Sequence, residues 1–177
     1  MTPAVPLRRL VVVRHAKATR PSGVVDHDRP LSPRGRRDAP LLGHWMFTGQ
    51  WLPDLVLCSP ARRTRETWQL IAEELAAPPP VRFELSLYHP PLPALLGLVR
   101  QTPAHIHTLA LVGHNPSLHD LVHSQITNAL TRALPRSEPV LPTASAAVLT
   151  WRGPWHLTTG TAQLDELYIA HATPQRS

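Results

Sequence analysis

An α/β/α sandwich built on a mostly parallel central sheet is the fold that this sequence predicts, and three observations predict it. Short apolar, β-branched runs stop abruptly at polar residues, as in Leu10-Val-Val-Val-Arg14-His15; buried strands of parallel sheets read this way. Helix-like stretches alternate with these runs, the pattern of a three-layer α/β chain. Two of those stretches open on Ser-Pro, a capping residue followed by a proline suited to the first helical turn. At 177 residues a single domain is expected over 1–177, with its core at about 9–170.

The elements follow in order. After the first strand, residues 18–31 are too polar for a core element and read as a loop ending in Asp28-Arg29-Pro30-Leu31. Ser32-Pro33 caps a helix running to about Gln50, with Leu41, Leu42, Trp45 and Met46 as its apolar stripe and Gly35 and Gly43 as weak points. Leu52 to Cys58 is the second strand. Ser59-Pro60 repeats the cap, and a helix to about Ala76 puts Trp68, Ile71, Ala72 and Leu75 toward the core. Pro78-Pro79-Pro80 stops it. Val81 to Leu87 reads as a short extended segment and Leu92 to Arg100 as a short helix. His107 to Gly113 is the third core strand. Asn115 is placed to cap a helix starting at Pro116 and running to about Leu130. Thr131 to Pro142 reads as a loop. Ala144 to Trp151 and Trp155 to about Thr159 read as a hairpin around Arg152-Gly153-Pro154. Gln163 to Ile169 reads equally as strand or helix, and residues 171–177 as a frayed tail.

Composition narrows the function classes. Hydrophobic residues make up 42% and charged residues 17%, which argues against disorder. No apolar run approaches the roughly 20 residues of a membrane helix. Met1 to Arg9 has no apolar signal region, and the stretch after Arg8-Arg9 is only Leu10 to Val13, so a cytoplasmic location is expected. The lone Cys58 excludes an internal disulfide and reads as a small buried hydrophobe. The formal charge of +6 comes without a basic run and with few aromatics, so an anionic substrate is favoured over nucleic acid. His119 and His123 have metal-ligand spacing but no third ligand nearby.

Three strands deliver polar clusters to one sheet edge, where ligands bind in open α/β sheets. These are Arg14-His15, Ser59 to Arg63, and His114-Asn115. Two arginines, two histidines and two helix N-termini together describe a phosphate pocket without a metal. Lys17 belongs on its rim.

Arg14-His15-Ala16 resembles the Arg-His-Gly signature of the histidine phosphatase (phosphoglycerate mutase-like) superfamily. Ser59-Pro60-Ala61-Arg62-Arg63-Thr64-Arg65-Glu66-Thr67 resembles its Ser-x-x-x-Arg-x-x-x-Thr motif, and Val112-Gly113-His114-Asn115-Pro116 its second-histidine motif. The resemblance spans about residues 9 to 150. Arg14-His15-Ala16-Lys17-Ala18 and Asp28-Arg29-Pro30-Leu31 look most like the SixA-type phosphohistidine phosphatases. Alanine in place of glycine at position 16 predicts a backbone without positive φ there.

The resemblance implies a phosphoglycerate mutase-like fold and no metal or organic cofactor. It implies that His15 is a nucleophile forming a phosphohistidine intermediate, its other ring nitrogen held by a carbonyl of residues 16–19. Arg14 and Arg63 would bind the phosphoryl oxygens with His114, as a cation, completing the set and Arg29 as a fourth contact. Ser59 and Thr67 would support Arg63 and its helix. The family's usual acid has no clean counterpart; Glu84 lies in the right stretch. The expected partner is a phosphorylated protein bearing phosphohistidine, or a small phosphate ester, with neither nucleic acid nor membrane. The alternatives are a small-molecule phosphomonoesterase and a phosphate-recognising binding module.

Overall fold

A computed structural model describes residues 5–125, 141–157 and 160–170 of the chain. Six strands form one sheet: β1 (Leu7–Arg14), β2 (Leu55–Cys58), β3 (Val81–Phe83), β4 (Thr108–Gly113), β5 (Ser145–Arg152) and β6 (Gln163–Ile169). Their order is β3-β2-β4-β1-β5-β6. The first four are mutually parallel, while β5 runs antiparallel to β1 and β6 antiparallel to β5. The helices are α1 (Pro33–Thr48), α2 (Arg62–Ala72), α3 (Leu92–Arg100) and α4 (Ser117–Gln125).

Alternation along β1 explains the three layers. Successive side chains point to opposite faces of a strand. Val11 and Val13 pack with Leu42, Trp45 and Met46 of α1 and Trp68 and Ile71 of α2. Leu10 and Val12 pack with Leu95 and Val99 of α3 and Leu118 and Leu121 of α4. All four β1 residues are fully buried, so the uninterrupted apolar run is the signature of a strand covered on both faces. Cys58 is buried too, and burial raises its thiol pKa to about 12.

Register brings the strand ends level. Val112 of β4 pairs with Val13 on one side and Cys58 on the other. The residues that follow, Arg14 with His15, Ser59, and Gly113 with His114, therefore emerge together at one edge.

The cap at Ser32 forms as its sequence predicts: its hydroxyl accepts from the Gly35 amide at 3.1 Å and donates to the Lys17 carbonyl at 3.0 Å. Gly35 is required because a Cβ there would collide with that carbonyl. Gly43 packs in the same way against the backbone of Ile71. These glycines are close-approach points between α1 and its neighbours, more than weak points in the helix.

Several local readings are corrected. The second helix starts at Arg62, and Ser59 does not cap it; the serine hydroxyl is taken by His114. Asn115 does not cap α4. Its amide nitrogen donates to the Leu141 carbonyl at 2.9 Å, and its buried Oδ1 has no partner. Val81 to Leu87 is extended only to Phe83 and then makes a 3₁₀ turn over Leu85–Leu87. No strand forms at 155–157; Trp155 instead packs edge-on against Trp151, and Gln163–Ile169 is the strand that pairs with β5. The expected helix end at 126–130, most of the loop to Pro142, residues 158–159 and the tail at 171–177 lie outside the described residues.

Candidate active site

A cavity of about 300 Å³ opens at the strand ends, and Arg14, His15, Arg29, Arg63 and His114 all line it. Arg14 and His15 come from the end of β1, Arg63 from the first turn of α2, and His114 from the residue after β4. Of the first turns of α2 and α4, Arg63 is the only lining residue, and the arginine side chains give the pocket its full positive charges. Lys17 and Arg20 line it as exposed residues.

His15 is fixed by its own loop. Its amide donates to the Gly113 carbonyl, and its carbonyl accepts from Ala144. Its Nδ1 lies 2.8 Å from the Ala16 carbonyl oxygen, so Nδ1 carries the proton and Nε2 the lone pair. Burial is the main cause lowering the ring's pKa to about 3, aided by the charges of Arg63, Arg14 and Arg29. The imidazole is therefore neutral at neutral pH, as a nucleophile requires. Ala16 is fully buried, has no positive φ, and donates its amide to Thr67 Oγ1 at 3.0 Å. Thr67 in turn donates to the Arg63 carbonyl at 2.6 Å. One hydroxyl thus ties the loop of His15 to the helix of Arg63.

His114 lies beside His15, ring centroids 5.2 Å apart. Its Nε2 is 2.8 Å from Ser59 Oγ, and its buried Nδ1 has no protein partner. The expected imidazolium is not what the surroundings favour. Burial first, then the charges of His15, Arg63 and His89, lower its pKa to about 2. His114 is a neutral ring held in place by Ser59, whose hydroxyl can either donate to Nε2 or accept from it. The serine supports the second histidine, and Arg63 has a different anchor.

That anchor is Asp26, which sequence reasoning missed. Arg63 is 3% exposed; its Nη1 donates to the Asp26 carbonyl at 2.6 Å and its Nη2 to the Asp26 carboxylate at 3.0 Å. Arg29 Nη1 reaches the other carboxylate oxygen at 2.6 Å, and Tyr88 Oη donates to the first at 2.6 Å. The Tyr88 hydrogen bond is the leading cause holding the Asp26 pKa well below the usual carboxylate range, with Arg29 and Arg63 adding to it. The Arg29–Asp26 spacing of three residues was a visible signal; nothing local marked Tyr88 as a partner of Asp26 or His89 as a lining residue of this cavity. Arg14 donates to the Leu141 carbonyl at 2.7 Å, and its buried Nε has no protein partner.

Glu84 is not among the lining residues. It pairs with Arg82 at 2.5 Å on the far side of β2 from β4, so the pocket's geometry gives no support to Glu84 as the acid. Asp26 is the only carboxylate among the described lining residues. Among the described residues no group of three or more His, Cys, Asp or Glu side chains could hold a metal ion, which applies also to His119 and His123. No helix among them is long and apolar enough to cross a membrane.

A family model described as "Histidine phosphatase superfamily (branch 1)" matches residues 10–86. An uncharacterized protein of Mycobacterium leprae is 34% identical over 164 residues, which cover 89% of this chain and 99% of that protein. Among solved structures, a candidate phosphohistidine phosphatase SixA from Nakamurella multipartitia is 31% identical, with a TM-score of 0.78 over 96% of this chain and 99% of its own. Its counterpart from Agrobacterium tumefaciens is 27% identical, also at a TM-score of 0.78, over 92% of this chain and 97% of its own.

Proposed function

This chain belongs to the histidine phosphatase superfamily, and we propose that its substrate is phosphohistidine carried on a protein, hydrolysed through a phosphoryl group held on His15. One observation carries the choice of substrate: the only carboxylate among the described lining residues, Asp26, is held ionised by Tyr88, Arg29 and Arg63. An alkoxide leaving group needs a proton as its P–O bond breaks, and a positioned acid typically contributes about 10²–10⁴-fold. A phosphorylated imidazole protonated at its distal nitrogen leaves as a neutral ring and needs no such acid.

In this reading Nε2 of His15 attacks phosphorus while the bond to the leaving imidazole breaks. Water then displaces Nε2 to release orthophosphate. Arg14 and Arg63 hold the equatorial oxygens where charge concentrates. Arg29 adds a further positive charge. His114 donates from Nδ1 once the Ser59 hydroxyl donates to its Nε2. These side chains supply the charge that a metal supplies in other phosphatases.

The test is a leaving-group series at fixed pH, comparing phosphohistidine on a protein with aryl and alkyl phosphates. A steep fall in kcat/KM as leaving-group pKa rises is expected. A flat dependence, with alkyl phosphates turned over as well as phosphohistidine, would make a small-molecule phosphomonoesterase the better description.

A further inference from the structure

A second cavity, of about 320 Å³, lies at the other end of the sheet, and Arg8, Arg100, Thr102 and Trp155 line it. Arg8 is the second residue of β1. Six residues of strand separate it from Arg14, about 20 Å at roughly 3.3 Å per residue.

Arg8 is 4% exposed, yet among the described residues no carboxylate pairs with it. Its Nε donates to the Gly153 carbonyl at 3.2 Å and its Nη1 to the Ile106 carbonyl at 2.5 Å. The Trp155 ring centroid lies 5.7 Å from its guanidinium carbon. Two carbonyls and an aromatic face satisfy some of its donors but leave a full positive charge inside the protein, and a buried charge is costly without a counter-charge. Thr102 is 8% exposed, and its hydroxyl is buried without any partner. Arg100 contributes a second, exposed cation to the same cavity. Among the described residues the two guanidiniums and the unpartnered hydroxyl meet no acid in this cavity, so it is suited to an anion. Its other walls are Ala104, Pro154 and Trp155, apolar and partly aromatic, and the exposed His156.

We propose that this cavity is a second ligand site, separate from the phosphate pocket, that takes a small carboxylate with a flat apolar body. The carboxylate lies between the Arg8 and Arg100 guanidiniums and accepts from the Thr102 hydroxyl once that side chain turns from its buried position, and the apolar body lies against Trp155. A planar carboxylate matches the guanidinium fork.

Benzoate is the probe, titrated into the ¹⁵N-labelled full chain while the Trp155 indole N–H, which donates to the Ile106 carbonyl at 2.9 Å, is followed by NMR. A saturable shift is expected. Thr102→Val should weaken it at least about tenfold, the loss of one hydrogen bond to a charged group, with a Tm equal to or above that of the wild type because the hydroxyl has no partner to lose. Arg100→Ala should weaken it by up to about fivefold, as loss of an exposed cation does. His15→Ala, which alters the other pocket, should leave it unchanged. Absence of a saturable shift, equal affinity in Thr102→Val and wild type, or loss of binding in His15→Ala would each overturn the proposal.

Discussion

Asp26 holds Arg63 at two points, accepting from Nη1 through its backbone carbonyl at 2.6 Å and from Nη2 through its carboxylate at 3.0 Å. A nearly buried arginine is thereby aimed by a residue 37 positions earlier in the chain. The same carboxylate restrains Arg29 and Tyr88. Asp26→Ala removes the side-chain half of this clamp and leaves the carbonyl half. Discounted for the half-exposed carboxylate, kcat/KM should fall by roughly tenfold. Asp26→Asn, whose amide oxygen still accepts from Arg63 and Tyr88, should restore part of it. Steady-state kinetics of the two variants checks this, and equal activity in Asp26→Ala and wild type would show that Arg63 needs no carboxylate.

Arg63→Ala itself should cost about 3 kcal/mol of transition-state stabilisation, roughly 10²-fold in kcat/KM, as loss of a preorganised donor to developing charge does. Steady-state rates on phosphohistidine measure it. An unchanged kcat/KM would place Arg63 outside the reaction.

Glu84→Gln should leave kcat/KM unchanged on every leaving group, because the carboxylate pairs with Arg82 and does not line the pocket. A steeper leaving-group dependence in that variant would restore Glu84 as the acid.

The two neutral histidines make stability depend on pH. Folding lowers the pKa of His15 to about 3 and of His114 to about 2. Below about pH 6.5 the unfolded chain binds protons that the folded chain refuses. Stability is therefore fully present above that pH and declines as pH falls toward the folded values, by up to about 1.4 kcal/mol per pH unit for each histidine. Urea denaturation between pH 7 and pH 5 should show the decline, and His114→Asn should flatten it. An identical slope in the variant would mean that His114 titrates normally in the folded protein.

The sheet was legible because its determinants are local. Leu10 to Val13 declare a strand covered on both faces, and Arg14, His15, Arg63 and His114 stand where strand ends and helix starts put them. The capping readings failed where a distant partner competed successfully for the polar group. Ser59 has the local signature of a cap, but His114, 55 positions on, takes its hydroxyl. Asn115 is drawn instead to Leu141. Asp26 was hidden for the same reason: its role depends on Arg63 and on Tyr88, 62 positions away, which only the closed loop brings together. The charge state of His114 was misjudged because sequence shows its charged neighbours but not how deeply it is buried.

The central claim, that His15 carries the phosphoryl group on Nε2, is tested most directly by trapping the intermediate. The enzyme is mixed with a protein bearing phosphohistidine, quenched in alkali, digested and examined by mass spectrometry, with NMR of the phosphorylated ring to identify the nitrogen. One phosphoryl group on His15, bonded to Nε2 because Nδ1 is held by the Ala16 carbonyl, and none in His15→Ala, is the expected result. Turnover by His15→Ala at the wild-type rate, or a phosphoryl group trapped on His114 instead, would contradict it.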